Sequence, residues 1–598
     1  MTHAEVLAQL TGPGGPFELT VETVRGLPMR TFTTRQRSLR EKVDVAASFG
    51  DREFLVQGQR RITYGEFRRL VWGTARRLQE HGFGRGDRLA VLAHNNLDWV
   101  ITLFGATALG GIVVGLNAWW VQDEIAYGLA DSGSRFLVTD ARLFPRVAPL
   151  IGSLPTLEKV FHIGADAPPG TRPIAELVTA GDEAPTVAIA EDDPFVILYT
   201  SGTTGRPKGC ITTHRGTITQ VQGIIVHGVI GHMLGGASPL PTDGSQPTGL
   251  ITSPLFHVAG LHTGLCTAMS AGAKIVFPEG RFDPVQVLEL VERERITTWG
   301  AVPTVLHRLV SCPQIGRYDL SSLTRISVGG APVAPETLEK ARQVLPVVPS
   351  LANVYGLTET HGVVMMNGGR DLVERPTSVG RPLPYFDVRI VDDAGRDVPD
   401  GALGEILLYG PTVTPGYWNA PEATAEVLRD GWLHTGDIGS RDADGFYYLV
   451  DRSKDVIIRG GENVYSVEIE NCLAEHPLIE EAAVIGVPDP DLGERVKAIV
   501  CIARGAATRG PDAGAGATDA GSGAAAAGAA VGAAAGGAAG VLDAEEVRRH
   551  VAARLAAFKV PEIVEITDRP LPRNPAGKIL KDALRGRGAV YFTDDGLE

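Results

Sequence analysis

The sequence predicts an α/β protein. It has a large N-terminal domain of layered helices and sheets and a small α+β C-terminal domain. Three observations carry this reading. Short apolar runs alternate with helix-period patterns along residues 64–301, as crossover-linked parallel strands require. After about residue 380 the texture shifts to short strands bounded by Gly, Pro and Asp, which marks a small β-rich part at about 380–451. Asp451, Arg452, Ser453, Lys454 and Asp455 then form a connector with no apolar residue, which suits a hinge between domains at 1–451 and 452–598. A chain of 598 residues also exceeds what one core supports.

Residues 1–60 read as a lead-in, with an amphipathic stretch at 38–48. A helix follows at 64–81, because Phe67, Leu70, Val71, Ala75 and Leu78 recur near helical spacing. The apolar run 88–93 is a strand, 97–109 a buried helix and 112–116 a buried strand. The uncharged window 99–116 reaches the length of a membrane span. It lacks basic flanks and is broken by Gly105, Gly110, Gly111 and Gly115, so a buried core is expected instead. Helix and strand alternate again at 124–132 and 136–139. Further on, strands at 194–200, 249–252, 274–277 and 297–301 enclose helices at 217–230, 261–270 and 285–293. The β-rich part has strands at 387–391, 404–409 and 445–449. The small domain has a helix at 467–475, strands at 481–487 and 497–502, and a second helix over 542–557. Between them, 505–540 is a Gly/Ala tract that cannot bury a core and is expected to be a flexible insert.

The net charge is −14 with no basic stripe, which argues against a nucleic-acid partner. Five cysteines lie far apart with no C-x-x-C, so neither a disulfide framework nor a zinc cluster is expected. A reducing, cytoplasmic setting fits. The first residues carry no compact apolar stretch of a signal peptide.

The chemistry centres on the loop at 200–209. Gly202, Gly205 and Gly209 let the backbone turn tightly and approach a ligand. Successive N–H groups in such a turn form a concave anion site. Thr200, Ser201, Thr203 and Thr204 add hydroxyls, and Lys208 adds a cation. A polyphosphate needs this set. The Walker A spacing is absent, since Lys208 sits between Pro207 and Gly209.

Six further stretches follow in order: Pro254 to Gly260, Val328 to Pro332, Val354 to Thr360, Leu433 to Asp437, Asp451 to Lys454, and Asn574 to Lys578. Together with the loop they resemble the adenylate-forming superfamily of acyl-CoA synthetases, aryl-CoA ligases, luciferases and peptide-synthetase adenylation domains. The resemblance spans about residues 35–585 and is strongest toward fatty-acyl-CoA synthetases.

It implies an ATP-dependent ligase that converts a carboxylic acid to acyl-AMP, releases pyrophosphate, and passes the acyl group to coenzyme A. ATP, Mg²⁺ and coenzyme A are the implied cofactors. The two reactants of the first step are both anions, so charge neutralisation and alignment must supply catalysis. By resemblance, Lys578 neutralises the charge forming between carboxylate and α-phosphate, and Lys454 is the pivot of a mobile small domain. His257 is the gate residue beside the acyl carboxylate. Gly330, Ala331 and Pro332 underlie the adenine, Tyr355 stacks on it, and Asn353 faces its exocyclic amine. Thr358 meets the α-phosphate, and Asp437 with Arg452 the ribose. Gly356 and Asn463 belong to the same nucleotide set, and Glu359 with Thr200 to the metal. Arg281, Gly460 and Gly461 are the coenzyme A positions, the two glycines leaving room for a pantetheine arm.

Val258 stands where amino-acid-activating relatives place an Asp, so an acid without a free α-amine is expected. The acyl pocket is expected near 228–236, His257, 300–301, 329–331 and 354–361. These residues are mostly small or apolar, which favours an apolar tail. A medium or long fatty acid is the first choice and an aryl acid the second. Loading of a carrier protein and a non-catalytic nucleotide-binding scaffold are the alternative readings. The first lacks the expected large-domain insertion, and the second leaves Lys208, Glu359 and Lys578 without purpose. A homodimer is compatible with the sequence.

Overall fold

The computed structural model describes residues 1–200, 206–236, 238, 241, 244–330, 335–345, 351–460, 462–490, 492–502, 507–508, 541–574 and 578–586. The chain divides into two compact units. One comprises 1–449 with 574–578, and the other 450–573 with 579–598.

The first unit contains two large sheets. In the seven-stranded sheet the order is Lys208–Thr213, Pro194–Thr200, Ile112–Gly115, Arg88–Leu92, Phe136–Asp140, Lys159–Ile163 and Arg172–Pro173. All neighbours are parallel except the first pair, which is antiparallel. The Leu97–Ala108 helix crosses over within this sheet and is buried along its whole length. Asn96 caps it by accepting from the Trp99 N–H. No helix among the described residues is long and apolar enough to cross a membrane.

The nine-stranded sheet runs Arg381–Pro382, Gly362–Gly368, Leu351–Leu357, Arg325–Gly329, Thr298–Ala301, Thr248–Ile251, Lys274–Val276, Glu53–Gln57 and Arg60–Thr63. Its interior pairs are parallel and its outer pairs antiparallel. A five-stranded antiparallel sheet holds Asp387–Val391, Gly404–Tyr409, Leu428–Arg429, Trp432–Arg441 and Tyr447–Arg452.

In the second unit, Ile479–Asp489 and Gly493–Ile502 form a long hairpin, flanked in parallel by Ile563–Thr567. The Ser466–Ala474 and Ala544–Ala552 helices pack on it around Ile469, Leu473, Val547 and Val551.

Several expectations shift. Residues 1–60 are more than a lead-in: they include the Leu19–Val24/Leu27–Phe32 hairpin, and their Glu53–Gln57 strand joins the nine-stranded sheet. The expected 261–270 helix is a π-helix, Ala259–Cys266, running into Thr267–Ser270. The phosphate loop is not followed directly by a helix. It connects two antiparallel strands with Thr200 opposite Lys208, and the helix His214–Met233 comes only after Thr213. Most of the expected insert lies outside the described residues; Ala507–Thr508 pairs with Val541–Leu542.

Candidate functional site

Ser201, Gly202, Thr203, Thr204 and Gly205 lie outside the described residues, as do Ala331, Pro332 and Gly461. The flanks of the loop are clear. Thr200 ends one strand and its hydroxyl donates to the Lys208 carbonyl at 3.4 Å. Lys208 opens the return strand, and its ammonium lies 5.5 Å from the centre of the Tyr417 ring and 3.9 Å from Glu426.

The same Tyr417 donates its hydroxyl to Glu359 Oε1 at 2.7 Å. A cation and a hard carboxylate are thus linked through one aromatic side chain. Glu359 sits in the single helical turn Thr358–Thr360 at the end of the Leu351–Leu357 strand. Its main-chain carbonyl accepts from the Thr414 N–H at 2.7 Å. Thr414 in turn donates its hydroxyl to the Ile211 carbonyl, on the strand that Lys208 opens. The residues after the turn make its geometry possible. His361 adopts a left-handed conformation (φ 60°), and a Cβ on Gly356 would lie 2.0 Å from the Gly362 carbonyl oxygen.

On that same strand, Tyr355 donates its hydroxyl to Asp437 Oδ2 at 2.7 Å; both are buried. The two residues are 82 positions apart in sequence. Asp437 follows a tight turn in which the Thr435 hydroxyl accepts its N–H. Asn353 donates its amide to the Ser378 carbonyl at 3.2 Å, so its amide oxygen is the atom suited to accept from an exocyclic amine. Gly330 follows the neighbouring strand at φ 85°. The structure therefore brings together two clusters, Lys208–Tyr417–Glu359 and Asn353–Tyr355–Asp437, both anchored on the Leu351–Leu357 strand.

His257 opens into the π-helix and stacks at a tilt on Phe256, 4.7 Å between ring centres. Its Nε2 is shielded and has no partner among the described residues. Burial pushes its pKa down to about 4, as it does for His227, so both rings are neutral near pH 7. π-Bulges occur often at functional sites.

Arg281 is exposed, in the turn before Pro284–Glu294. In the second unit Lys454 is 39% exposed, 3.8 Å from Asp582. The connector is fixed at Asp451, which accepts from both the N–H and the hydroxyl of Ser466. Arg452 follows with its N–H on Asp451. Gly460 turns at φ 59° and donates its N–H to Leu492, and Asn463 is exposed in the short strand Glu462–Val464. Lys578 closes a turn with Asn574: its N–H donates to Asn574 Oδ1 at 2.9 Å, and its carbonyl accepts from the Asn574 N–H at 2.8 Å.

A magnesium ion fits the donors present. Mg²⁺ is held by one or two carboxylates plus substrate phosphates and water rather than by an all-protein cage. Glu359 and the Thr200 hydroxyl supply hard oxygens of that kind. No cluster of three or more His, Cys, Asp or Glu suited to a metal occurs among the described residues.

Sequence reasoning missed Tyr417 and Thr414 and counted His361 only among the acyl-pocket residues; these three hold the Glu359 turn in place. Their local signal is weak: Pro411, Pro415 and Gly416 mark only a turn.

Two family models match this chain. The model of AMP-binding enzymes matches residues 43–418, and that of the AMP-binding enzyme C-terminal domain matches residues 468–578. A feruloyl-CoA synthase of Amycolatopsis sp is 36% identical over 527 residues, covering 88% of this chain and 94% of that protein. A long-chain-fatty-acid–CoA ligase, FadD13 of Mycobacterium tuberculosis, is 32% identical over 88% of this chain and 93% of its own length. Among solved structures, the amide bond synthetase McbA from Marinactinospora thermotolerans superposes with a TM-score of 0.74 at 30% identity, covering 92% of this chain and 99% of that one.

Proposed function

This chain belongs to the family of AMP-binding enzymes and is an AMP-forming acid–thiol ligase using ATP, Mg²⁺ and coenzyme A; we propose that its acid is a monocarboxylate with an apolar body, fatty or aryl, and that the residues below carry the reaction. A carboxylate oxygen attacks the α-phosphorus of ATP, the bond to the bridging oxygen breaks, and pyrophosphate leaves. The thiol of coenzyme A then attacks the acyl carbon, its proton passes to solvent, and AMP leaves. Lys208 and the loop N–H groups grip the terminal phosphates. Tyr355 offers its ring to the adenine, Asn353 an acceptor to the amine, and Asp437 an acceptor to the ribose. Thr358 reaches the α-phosphate. Glu359 and Thr200 would hold magnesium, which when bound would offset negative charge on the phosphates. Lys578 supplies the ammonium for the adenylation step, with Lys454 as the pivot. Arg452 and Asn463 complete the nucleotide set, and Arg281, Gly460 and Gly461 the coenzyme A path.

The observation that carries this reading is the continuous line Lys208–Tyr417–Glu359 beside the Tyr355–Asp437 pair. A cation, a hard anion, an aromatic face and a ribose acceptor there share one unit. The mostly small or apolar residues of the expected acyl pocket support an apolar monocarboxylate. Relatives with this architecture are named for feruloyl and for long-chain fatty substrates, so both acyl types belong in the test. Five buried free thiols support a reducing, cytoplasmic setting.

The test is a panel of fatty, aryl and dicarboxylic acids assayed for AMP release with no acceptor, with coenzyme A, and with an amine. Coenzyme A-dependent release with an apolar monocarboxylate is expected. Preference for a dicarboxylate would contradict the acyl reading, and dependence on the amine would contradict coenzyme A as acceptor.

A further inference from the structure

We propose that His361 is a positioning residue that fixes the Glu359 turn for magnesium by clamping it to two separate parts of the large unit. The inference rests on Glu359 as the metal ligand and goes beyond it, because no motif role is attached to position 361.

Four contacts define the clamp. The His361 ring is wholly buried. Its Nε2 accepts the Thr213 N–H at 2.7 Å, at the junction between the Lys208–Thr213 strand and the following helix. Since that nitrogen accepts, the ring proton sits on Nδ1, which donates to the Thr412 carbonyl at 2.6 Å. Thr412 lies two residues before Thr414, whose N–H holds the Glu359 carbonyl. The His361 N–H closes the turn on the Thr358 carbonyl. Its own carbonyl is held by His262 Nδ1 at 2.9 Å.

The space for the ring is built in. A Cβ on Gly216, in the first turn of the His214–Met233 helix, would lie 2.3 Å from His361 Nε2. The glycine and the imidazole therefore depend on each other. One neutral ring thus ties the metal turn to the strand that carries Lys208 and to the segment that carries Thr414 and Tyr417. A carboxylate placed this way meets a cation without reorganisation. A residue that only filled the core would need neither ring bond, and Leu would occupy a similar volume.

The experiment measures binding of manganese as the metal probe, by electron paramagnetic resonance, to the full-length protein with a non-hydrolysable ATP analogue. His361→Leu is expected to weaken manganese about tenfold, the size typical of a lost outer-shell partner. The loss of manganese affinity should exceed any rise in the KM for the acid, and a change confined to that KM would overturn the clamp and leave His361 with the acyl pocket expected near 354–361. His361→Asn keeps a donor toward Thr412 and tolerates the left-handed backbone, so it should restore manganese binding to within about threefold. Glu359→Gln is measured alongside. If Glu359→Gln weakens manganese and His361→Leu does not, the clamp is overturned while the metal reading stands. If neither weakens it, the assignment of Glu359 itself falls. Equal losses for Asn and Leu would also overturn the clamp. Should His361→Leu fail to fold, Gly216→Ala displaces the ring without removing it. The same weakening is expected there, and unchanged manganese binding would overturn the proposal.

Discussion

The groups assigned to the nucleotide and those assigned to the moving cation are built differently. In the first set, Asn353, Tyr355 and Asp437 are buried, and Glu359 is held at both its carboxylate and its main chain. In the second set, Lys454 is 39% exposed with an ion pair at 3.8 Å. Lys578 is fixed through its main chain to Asn574, in a turn rather than in a sheet or helix. Recognition is placed on side chains already locked by partners, which lose little entropy on binding. The charge-delivery role is proposed for a lysine whose backbone is anchored in a turn. The contrast suits a ligase that holds one nucleotide through two reactions but needs its ammonium in only one.

That contrast can be broken most directly at Lys578. Lys578→Ala is expected to slow acyl-AMP formation by about 10²–10³-fold, the cost of removing a transition-state donor. Thioester formation from preformed acyl-AMP should survive. Equal loss of both steps, in single-turnover assays, would erase the division between the two sets.

A smaller loss is expected from the locked set. Asp437→Asn should raise the KM for ATP about 10–100-fold, since a charged hydrogen-bond acceptor is lost. Tyr355→Phe should weaken ATP less, and the two changes should be non-additive because the residues touch. Additive effects would mean that the pair does not work as a unit. Tyr417→Phe removes one hydrogen bond to Glu359 and should raise the KM for MgATP about fivefold with little change in the KM for the acid. An effect confined to the acid would displace Tyr417 from the phosphate side.

The smallest effect on turnover is expected from mild acid, which acts on stability instead. Burial pushes His214, His227, His257 and His262 down to about 4 from 6.5. Between these values the unfolded chain binds protons there and the folded chain does not. Stability that is fully present above pH 6.5 is therefore lost as pH falls toward 4. The urea midpoint should be lower at pH 5 than at pH 7.5, and an unchanged midpoint would contradict the neutral-ring description.

The sequence was informative where a residue's chemistry is local. The buried strand Pro194–Thr200, the mostly apolar Leu97–Ala108 helix and the Thr358–Glu359 motif could all be read from residue type and spacing. It was silent where partners are distant. The Lys208–Thr213 strand contains Gly209 and no alternation, so nothing local marks it; its pairing with Pro194–Thr200 does. The Tyr355–Asp437 bond and the Tyr417–Glu359 bond span 82 and 58 positions, and His361 reaches Thr213 across 148. Such contacts are fixed by sheet order, which one-dimensional patterns do not encode. Position 361 carries no local signal either, since its left-handed backbone (φ 60°) is set by the surrounding fold.

The central claim is that this protein joins a carboxylic acid to AMP before any thiol arrives. The direct measurement is incorporation of radiolabelled pyrophosphate into ATP by the full-length protein, with an apolar monocarboxylic acid and magnesium but without coenzyme A. Acid-dependent exchange by the wild type is the predicted result. Absence of exchange with every acid offered, or exchange that proceeds equally well without acid, would contradict the account.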